Sequence, residues 1–411
     1  MRALIFRYSL PRLAIARIGG KLTPRAYVGR GAPMQLEDVE EPPLLGDDWT
    51  VIRTVLTGIC GSDVKQVFLN GNFDNPLRSL ISFPQILGHE VVGVVESVGP
   101  AVRKRRVGER VALNPWLWCV PRGIDPPCDA CQRGEYSLCQ HLTEGDLPPG
   151  LHHGNCRTVT GGYAPLLPAH ESQLIPIPGD VNFEQAVLAD PFAVAMHAIL
   201  KAPPAAGALA LVYGAGGLGL LTVAALRALF PAARVAIVAR YPHQIDLARQ
   251  LGAKHVISTR DPGKIVETVA EIVGARVHRP PRGLPWLLRG VDVIYDMVGS
   301  GESMEVGVRI ANPKAPIVIA GVALPSRFEW TPHYFKEINL IGSNAFGVEE
   351  YAGLKMHAIE HYLQLVEEEK LDLTPLITHR FRLEQYREAF LVLHSKASHQ
   401  AVKGVFEFET P

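Results

Sequence analysis

The chain has no surplus of charge of either sign: 41 Lys and Arg balance 41 Asp and Glu, for a formal net charge of zero. That balance, with no long run of like charge, leaves a nucleic-acid or anionic-membrane partner without electrostatic support. No stretch is long and apolar enough to span a bilayer. At the start, MRALIFRYSLPRLAIARIGGKL threads arginines through its apolar residues and so lacks the unbroken core of a secretory signal. Internal repeats and low-complexity tracts are absent as well, and 47% hydrophobic residues in 411 supply core material for two or three domains. These absences predict a cytoplasmic protein, outside the membrane, whose partner is a small molecule.

Cysteine is scarce too, six in 411 residues, yet four of the six fall together as Cys119-VPRGIDPP-Cys128-DA-Cys131-QRGEYSL-Cys139. Four thiolates this close in sequence can surround a tetrahedral Zn²⁺, and with protein sulfur at every position the site is closed to water and substrate. Its expected role is to staple a Pro- and Gly-rich lobe, about residues 114–162, that lacks regular structure of its own. Disulfides or scattered thiols are the alternative, but without a secretory segment the cysteines are expected to stay reduced. Cys156 is left over as a spare thiol.

The first third reads as strands and loops, with alternation over residues 50–57 (TVIRTVLT) and a glycine-interrupted β-branched run in ILGHEVVGVVESVG. From residue 183 the texture changes. FEQAVLADPFAVAMHAIL has helical spacing, and after KAPPAAG short apolar strands alternate with amphipathic helices, the pattern of a parallel α/β sheet. Six strands are expected, over residues 208–213, 234–240, 255–258, 291–296, 317–321 and 340–342, with 277–290 as a surface insertion. Beyond residue 347 a helix over LKMHAIEHYLQLVEEEK, a strand in ITHRFRL and a closing VKGVFEF return to the first domain.

Between the first of these strands and LLTVAALRALF lies Gly214-Ala215-Gly216-Gly217-Leu218-Gly219, a GxGxxG loop in the strand–turn–helix context that dinucleotide binding requires. Gly214 permits the turn, Gly216 lets backbone amides approach a pyrophosphate, and Gly219 lets helix pack on strand. At the end of the second strand, where an acidic residue commonly bonds the ribose of NAD, stands Ala239-Arg240-Tyr241. The missing carboxylate removes repulsion against a 2′-phosphate that Arg240 can pair with, so NADP is preferred over NAD.

Upstream, Gly58-Ile59-Cys60-Gly61-Ser62-Asp63 and Gly88-His89-Glu90 supply a thiolate, an imidazole and neighbouring hydroxyl and carboxylate groups. Together with the four-cysteine lobe and the glycine loop, in that order, they make the chain resemble the zinc-dependent medium-chain alcohol dehydrogenases over nearly its whole length. The resemblance implies a GroES-like β-rich catalytic domain, about residues 1–185 completed by 346–411, and a Rossmann doubly wound parallel sheet over about 186–345. It implies two zinc ions per chain. The catalytic one would be held by Cys60, His89 and the Asp190 of Leu188-Ala189-Asp190-Pro191-Phe192, with Glu90 as an alternative ligand. A carboxylate before proline places the chain nearer the sorbitol- and threonine-dehydrogenase-like branch, hence a secondary alcohol or polyol substrate. By the same resemblance Ser62 takes the alcohol proton, Asp63 orients His89, Leu218 presses on the nicotinamide, Lys403 reaches its phosphate, and the protein is a homodimer or homotetramer. Lys65 stands where many relatives have a relay histidine, and eight residues separate Cys119 from Cys128 where the family usually has two. A zinc-independent enoyl or quinone reductase and a non-catalytic NADPH-binding protein are the rival readings; the Cys60, His89 and Asp190 set argues against the first.

Overall fold

The computed structural model describes residues 1–71, 75–323 and 327–409. The chain divides into two compact units, one of Met1–Asp190 with Glu350–Pro411 and one of Pro191–Glu349.

In the first unit, strands β1 (Arg2–Phe6) and β2 (Met34–Asp38) pair antiparallel, with helix α1 (Leu10–Gly20) in the connection between them. Strand β3 (Trp49–Ile59) is the centre of the main sheet, and helix α2 (Gly61–Val67) follows it directly. β3 is buried along nearly its whole length because neighbours cover both faces, so TVIRTVLT behaves as a central strand rather than a half-exposed one. Strands β4 (Gln85–Ile86) and β5 (Glu90–Val98) come next, and β5 pairs antiparallel with β3. The other edge of β3 takes the C-terminal strand Lys403–Glu407, which pairs in turn with Ile377–Phe381. Ile52, Val91, Val95, Val111, Leu167 and Leu174 fill the sheet's interior.

The second unit is a six-stranded parallel sheet in the order 255–257, 234–238, 209–213, 293–296, 316–319, 339–342, all six where the sequence predicts strands. The order reverses beside Leu209–Tyr213, the switch point at which doubly wound sheets bind ligands. The insertion over 277–290 closes on itself as a small ribbon, Val277–His278 against Trp286–Leu287. One expectation fails: in LKMHAIEHYLQLVEEEK, residues Leu354–His357 are a strand paired into a ribbon with Val348–Tyr351, and the helix begins only at Ala358. The turn sequence Ala352-Gly353, both at positive φ, forces the reversal, and the imidazole of His357 accepts the Ile359 N–H to start the helix there.

Candidate active site and metal centres

Strand register builds the first centre. Gly58 of β3 pairs with Glu90 of β5, so Cys60, just past the end of β3, meets His89, just before the start of β5. On the other side Gly404 pairs with Ile59, which brings Lys403 to the same place. Sulfur, imidazole nitrogen and carboxylate oxygen of Cys60, His89 and Glu90 all lie within 4.8 Å of one another. Asp190, in the first turn of the helix Ala189–Lys201, is not part of that tight set, but its carboxylate is buried and Oδ2 has no hydrogen-bond partner. Two glycines make the approach possible. A Cβ on Gly58 would overlap the Glu90 carboxylate, and one on Gly88, at φ 92°, would stand 2.5 Å from the Tyr163 ring.

Asp63 serves two purposes from one position. As the third residue of α2 its Oδ2 accepts the Cys60 backbone N–H at 3.1 Å, while Oδ1 faces His89 Nδ1 at 3.8 Å. The Tyr163 hydroxyl, fully buried, donates to the same carboxylate at 2.7 Å and fixes it. A carboxylate held in this position can orient a histidine that binds a metal. Tyr163→Phe removes that donor without disturbing the backbone and is expected to weaken metal retention roughly tenfold, read by competition with a chromogenic chelator. Retention equal to the parent would assign Tyr163 to packing alone.

The electrostatics call for a cation. Asp63, Glu90 and Asp190 are 5%, 2% and 7% exposed, and Lys403 Nζ is paired with Glu90. Burial and the Glu90 charge push Asp190 up to about 7 against the pull of His89 and Lys403. Burial also disfavours the His89 cation, but Asp63, Cys60 and Asp190 outweigh it and raise its pKa well above the histidine norm. A dication among one thiolate, one imidazole and two carboxylates balances this excess, and the mixed S, N, O donor set suits zinc. Ser62 stands exposed on the first turn of α2, and partial burial lowers the Lys65 ammonium below the usual lysine value, with Cys60 opposing. Burial holds His152 neutral, with its pKa lowered to about 3; its ring packs 4.7 Å from that of His89, and its Nδ1 meets the His153 carbonyl at 2.6 Å. Tyr163 and His152 carry no motif, and the sequence does not single out either as part of the site.

The second centre gathers Cys119, Cys128, Cys131 and Cys139, all buried, with sulfurs within 4.8 Å of one another. Backbone amides point at them, Cys128 N to Cys119 at 3.3 Å, His141 N to Cys139 at 3.4 Å and Gln140 N to Cys128 at 3.5 Å. A hydrogen bond from Cys131 pulls the Cys139 thiol down to about 5, while burial pushes Cys119 up to about 11. Four crowded sulfurs with opposed proton affinities make the arrangement that a closed tetrahedral metal suits. Of the eight residues between Cys119 and Cys128, Val120–Arg122 form a short 3₁₀ turn that sends Arg122 inward. Its guanidinium is fully buried and donates only to carbonyls, among them Leu117 O and Glu144 O at 2.9 Å and Gly150 O at 2.6 Å.

In the second unit the glycine loop shows the three spaces that a pyrophosphate turn needs. Gly214 sits at φ 97° with Val298 2.5 Å from where a Cβ would be, Gly216 faces open space, and a Cβ on Gly219 would strike the Gly214 carbonyl. Gly216 caps the helix Gly217–Leu229, whose free amides point toward that space; Gly217 and Leu218 form its first turn. Arg240 projects from the end of strand Arg234–Val238 and is paired with Glu302, while Arg260 lies 5.0 Å over the Tyr241 ring.

Residues 46–179 match the family described as Alcohol dehydrogenase GroES-like domain, and residues 217–360 the family described as Zinc-binding dehydrogenase. The chain is 30% identical over 370 residues to L-threonine 3-dehydrogenase of Rhizobium etli (strain CIAT 652), covering 89% of this chain and 94% of that one. It is 27% identical over 350 residues to sorbitol dehydrogenase of Bacillus subtilis (strain 168), covering 84% and 87%. Among solved structures, the NADH complex of an alcohol dehydrogenase from Escherichia coli CFT073 shares the fold, at a TM-score of 0.75 and 22% identity over 99% of each chain.

Proposed function

The chain belongs to the zinc-dependent medium-chain alcohol dehydrogenase family, and on that premise we propose that it interconverts a secondary alcohol or polyol and its ketone, using NADP in preference to NAD. The observation that carries the reading is the Cys60–His89–Glu90 cluster, with a buried Asp190 carboxylate whose Oδ2 has no hydrogen-bond partner. Cys60 and His89 would hold the catalytic zinc, with Asp190 as third ligand or Glu90 as the alternative. Bound there, zinc supplies the Lewis acidity that lowers the pKa of a substrate hydroxyl, and the nicotinamide takes the hydride. Ser62, on the exposed turn beside Cys60, receives the alcohol proton and passes it to water. Asp63, fixed by Tyr163, holds the His89 ring. The four-cysteine lobe would take a second, structural zinc. Similarity to sorbitol dehydrogenase and to the D-xylulose reductase of Saccharomyces cerevisiae, together with Asp190-Pro191, supports the polyol branch. A homodimer or homotetramer in the cytoplasm is the expected working form.

Metal analysis is expected to return about two zincs per chain, with NADPH consumed on ketone substrates. One zinc and no turnover across primary, secondary and polyol substrates would overturn the reading.

Arg240 and Arg260 support NADP, while Glu302 competes for Arg240. Arg240→Ala should raise KM for NADP about tenfold, the order of one lost charge-assisted bond at a partly exposed site, and leave KM for NAD nearly unchanged. Glu302→Gln should lower KM for NADP by freeing the guanidinium. Equal changes for both cofactors would remove Arg240 from the phosphate site.

A further inference from the structure

The zero net charge of the whole chain conceals a segregated start. From Arg7 to Arg30 there are six basic residues and no acidic one. This segment holds α1, in which Leu13 and Ala16 face the core while the larger part of the apolar side chains face outward. Leu10, Ile15 and Ile18 are 68%, 56% and 69% exposed, and Leu22, just past the helix, 89%. The inner side is fixed, so the outward stripe is not a frayed end. Ala16 is fully buried, and Gly19 lies so close to the 3₁₀ turn Pro24–Tyr27 that a Cβ there would stand 2.8 Å from the Ala26 side chain.

Successive helical residues rotate by about 100°, which puts Leu10, Ile15, Ile18 and Leu22 on one outward stripe with Arg12 on one flank and Arg17 on the other. Tyr8, 42% exposed, adds an aromatic ring at the entrance, its hydroxyl accepting from Arg78 at 2.8 Å. An apolar stripe bordered by cations, in a segment whose own sequence holds no carboxylate, matches the composition of helices that lie in the plane of a bilayer surface. Glu37 is the nearest acidic residue in sequence, and it is paired with Arg7.

We propose that α1 docks this protein on membranes of anionic lipid, with the isoleucines and leucines entering the headgroup boundary, the exposed Lys21 pairing with lipid phosphates and the basic segment as a whole supplying the attraction. A second copy of the chain is the poorer occupant, since a two-fold contact through this face sets each group of cations against its own image. No helix among the described residues is long and apolar enough to cross a membrane, so the attachment is peripheral.

The test is sedimentation of the full-length protein with phosphatidylcholine vesicles, with and without phosphatidylglycerol. Binding is expected only to the anionic vesicles and to weaken as sodium chloride is raised. The double substitution Ile15→Ser with Ile18→Ser should lower the partition coefficient about tenfold, and Lys21→Glu should lower it too. Both variants should keep the parent's melting temperature and its turnover of soluble substrate. Equal binding to both vesicle types, binding to neither, or undiminished binding of the isoleucine variant overturns the proposal. So does dissociation of an oligomer in the isoleucine variant, which would assign the face to a second copy, and so does capture by polyglutamate without vesicle binding, which would assign it to an acidic protein.

Discussion

Cys60→Ala is expected to lower kcat/KM for alcohol oxidation by about a thousandfold or more while the protein still folds. The magnitude follows from the several kcal/mol of transition-state stabilisation that a Lewis-acidic metal supplies, at 1.36 kcal/mol per decade of rate. The fold should survive because the features that shape this corner do not use the thiol. The Gly58–Glu90 register is set by backbone pairing, and the bond from the Cys60 amide to Asp63 persists in alanine. Cys60 is only partly buried, so no large cavity opens. Metal analysis should fall from about two zincs to about one, locating the loss at this centre. A variant within tenfold of the parent, with its zinc intact, would mean that the catalytic metal is held elsewhere.

Cys131→Ser should act in the opposite sense, on stability before chemistry. Cys131 is one of the four-sulfur set, and removing one thiolate from a closed tetrahedral site leaves three ligands and a hydroxyl too weak to replace the fourth. Structural zinc contributes on the order of 10 kcal/mol to small domains that depend on it. Even about half of that, lost from a unit of this size at roughly 2–4 °C per kcal/mol, lowers the melting temperature by at least about 10 °C. The zinc count should drop by one while early turnover per folded molecule stays near the parent value. An unchanged melting temperature with the full zinc content would sink the structural assignment.

How much of this could be read from the sequence depended on whether a function sits in a contiguous segment. The GxGxxG loop is local, and the tight turn at Gly214 and the close packing at Gly219 are what their spacing announced, because each is a backbone constraint within one turn. The four cysteines are local too. The first centre is not: Cys60, His89 and Lys403 meet through antiparallel register between strands far apart in sequence, and only a family resemblance could join them beforehand. Tyr163 escaped notice because a tyrosine in a Gly-rich loop has no signature until its hydroxyl is seen on Asp63. The strand at Leu354–His357 was hidden by apolar residues that fit either period, with the decision taken by the Ala352-Gly353 turn. Helix α1 was illegible for a different reason: its pattern gives an apolar stripe but not the side that faces the core, and charge summed over the whole chain cancels the excess it carries.

With a structural zinc in the four-cysteine set, as proposed, Arg122 would tie the state of the lobe to the cell's metal supply. A guanidinium enclosed by carbonyl dipoles, with no carboxylate among its hydrogen-bond partners, is tolerable when four thiolates around a dication leave a net negative charge nearby, and costly when those sulfurs are mostly protonated thiols. In zinc-starved cells the newly made chain should therefore carry an open, protease-sensitive segment between Cys119 and Gly150 on an otherwise folded body. Its lifetime, and not only its activity, would then follow the zinc available during synthesis.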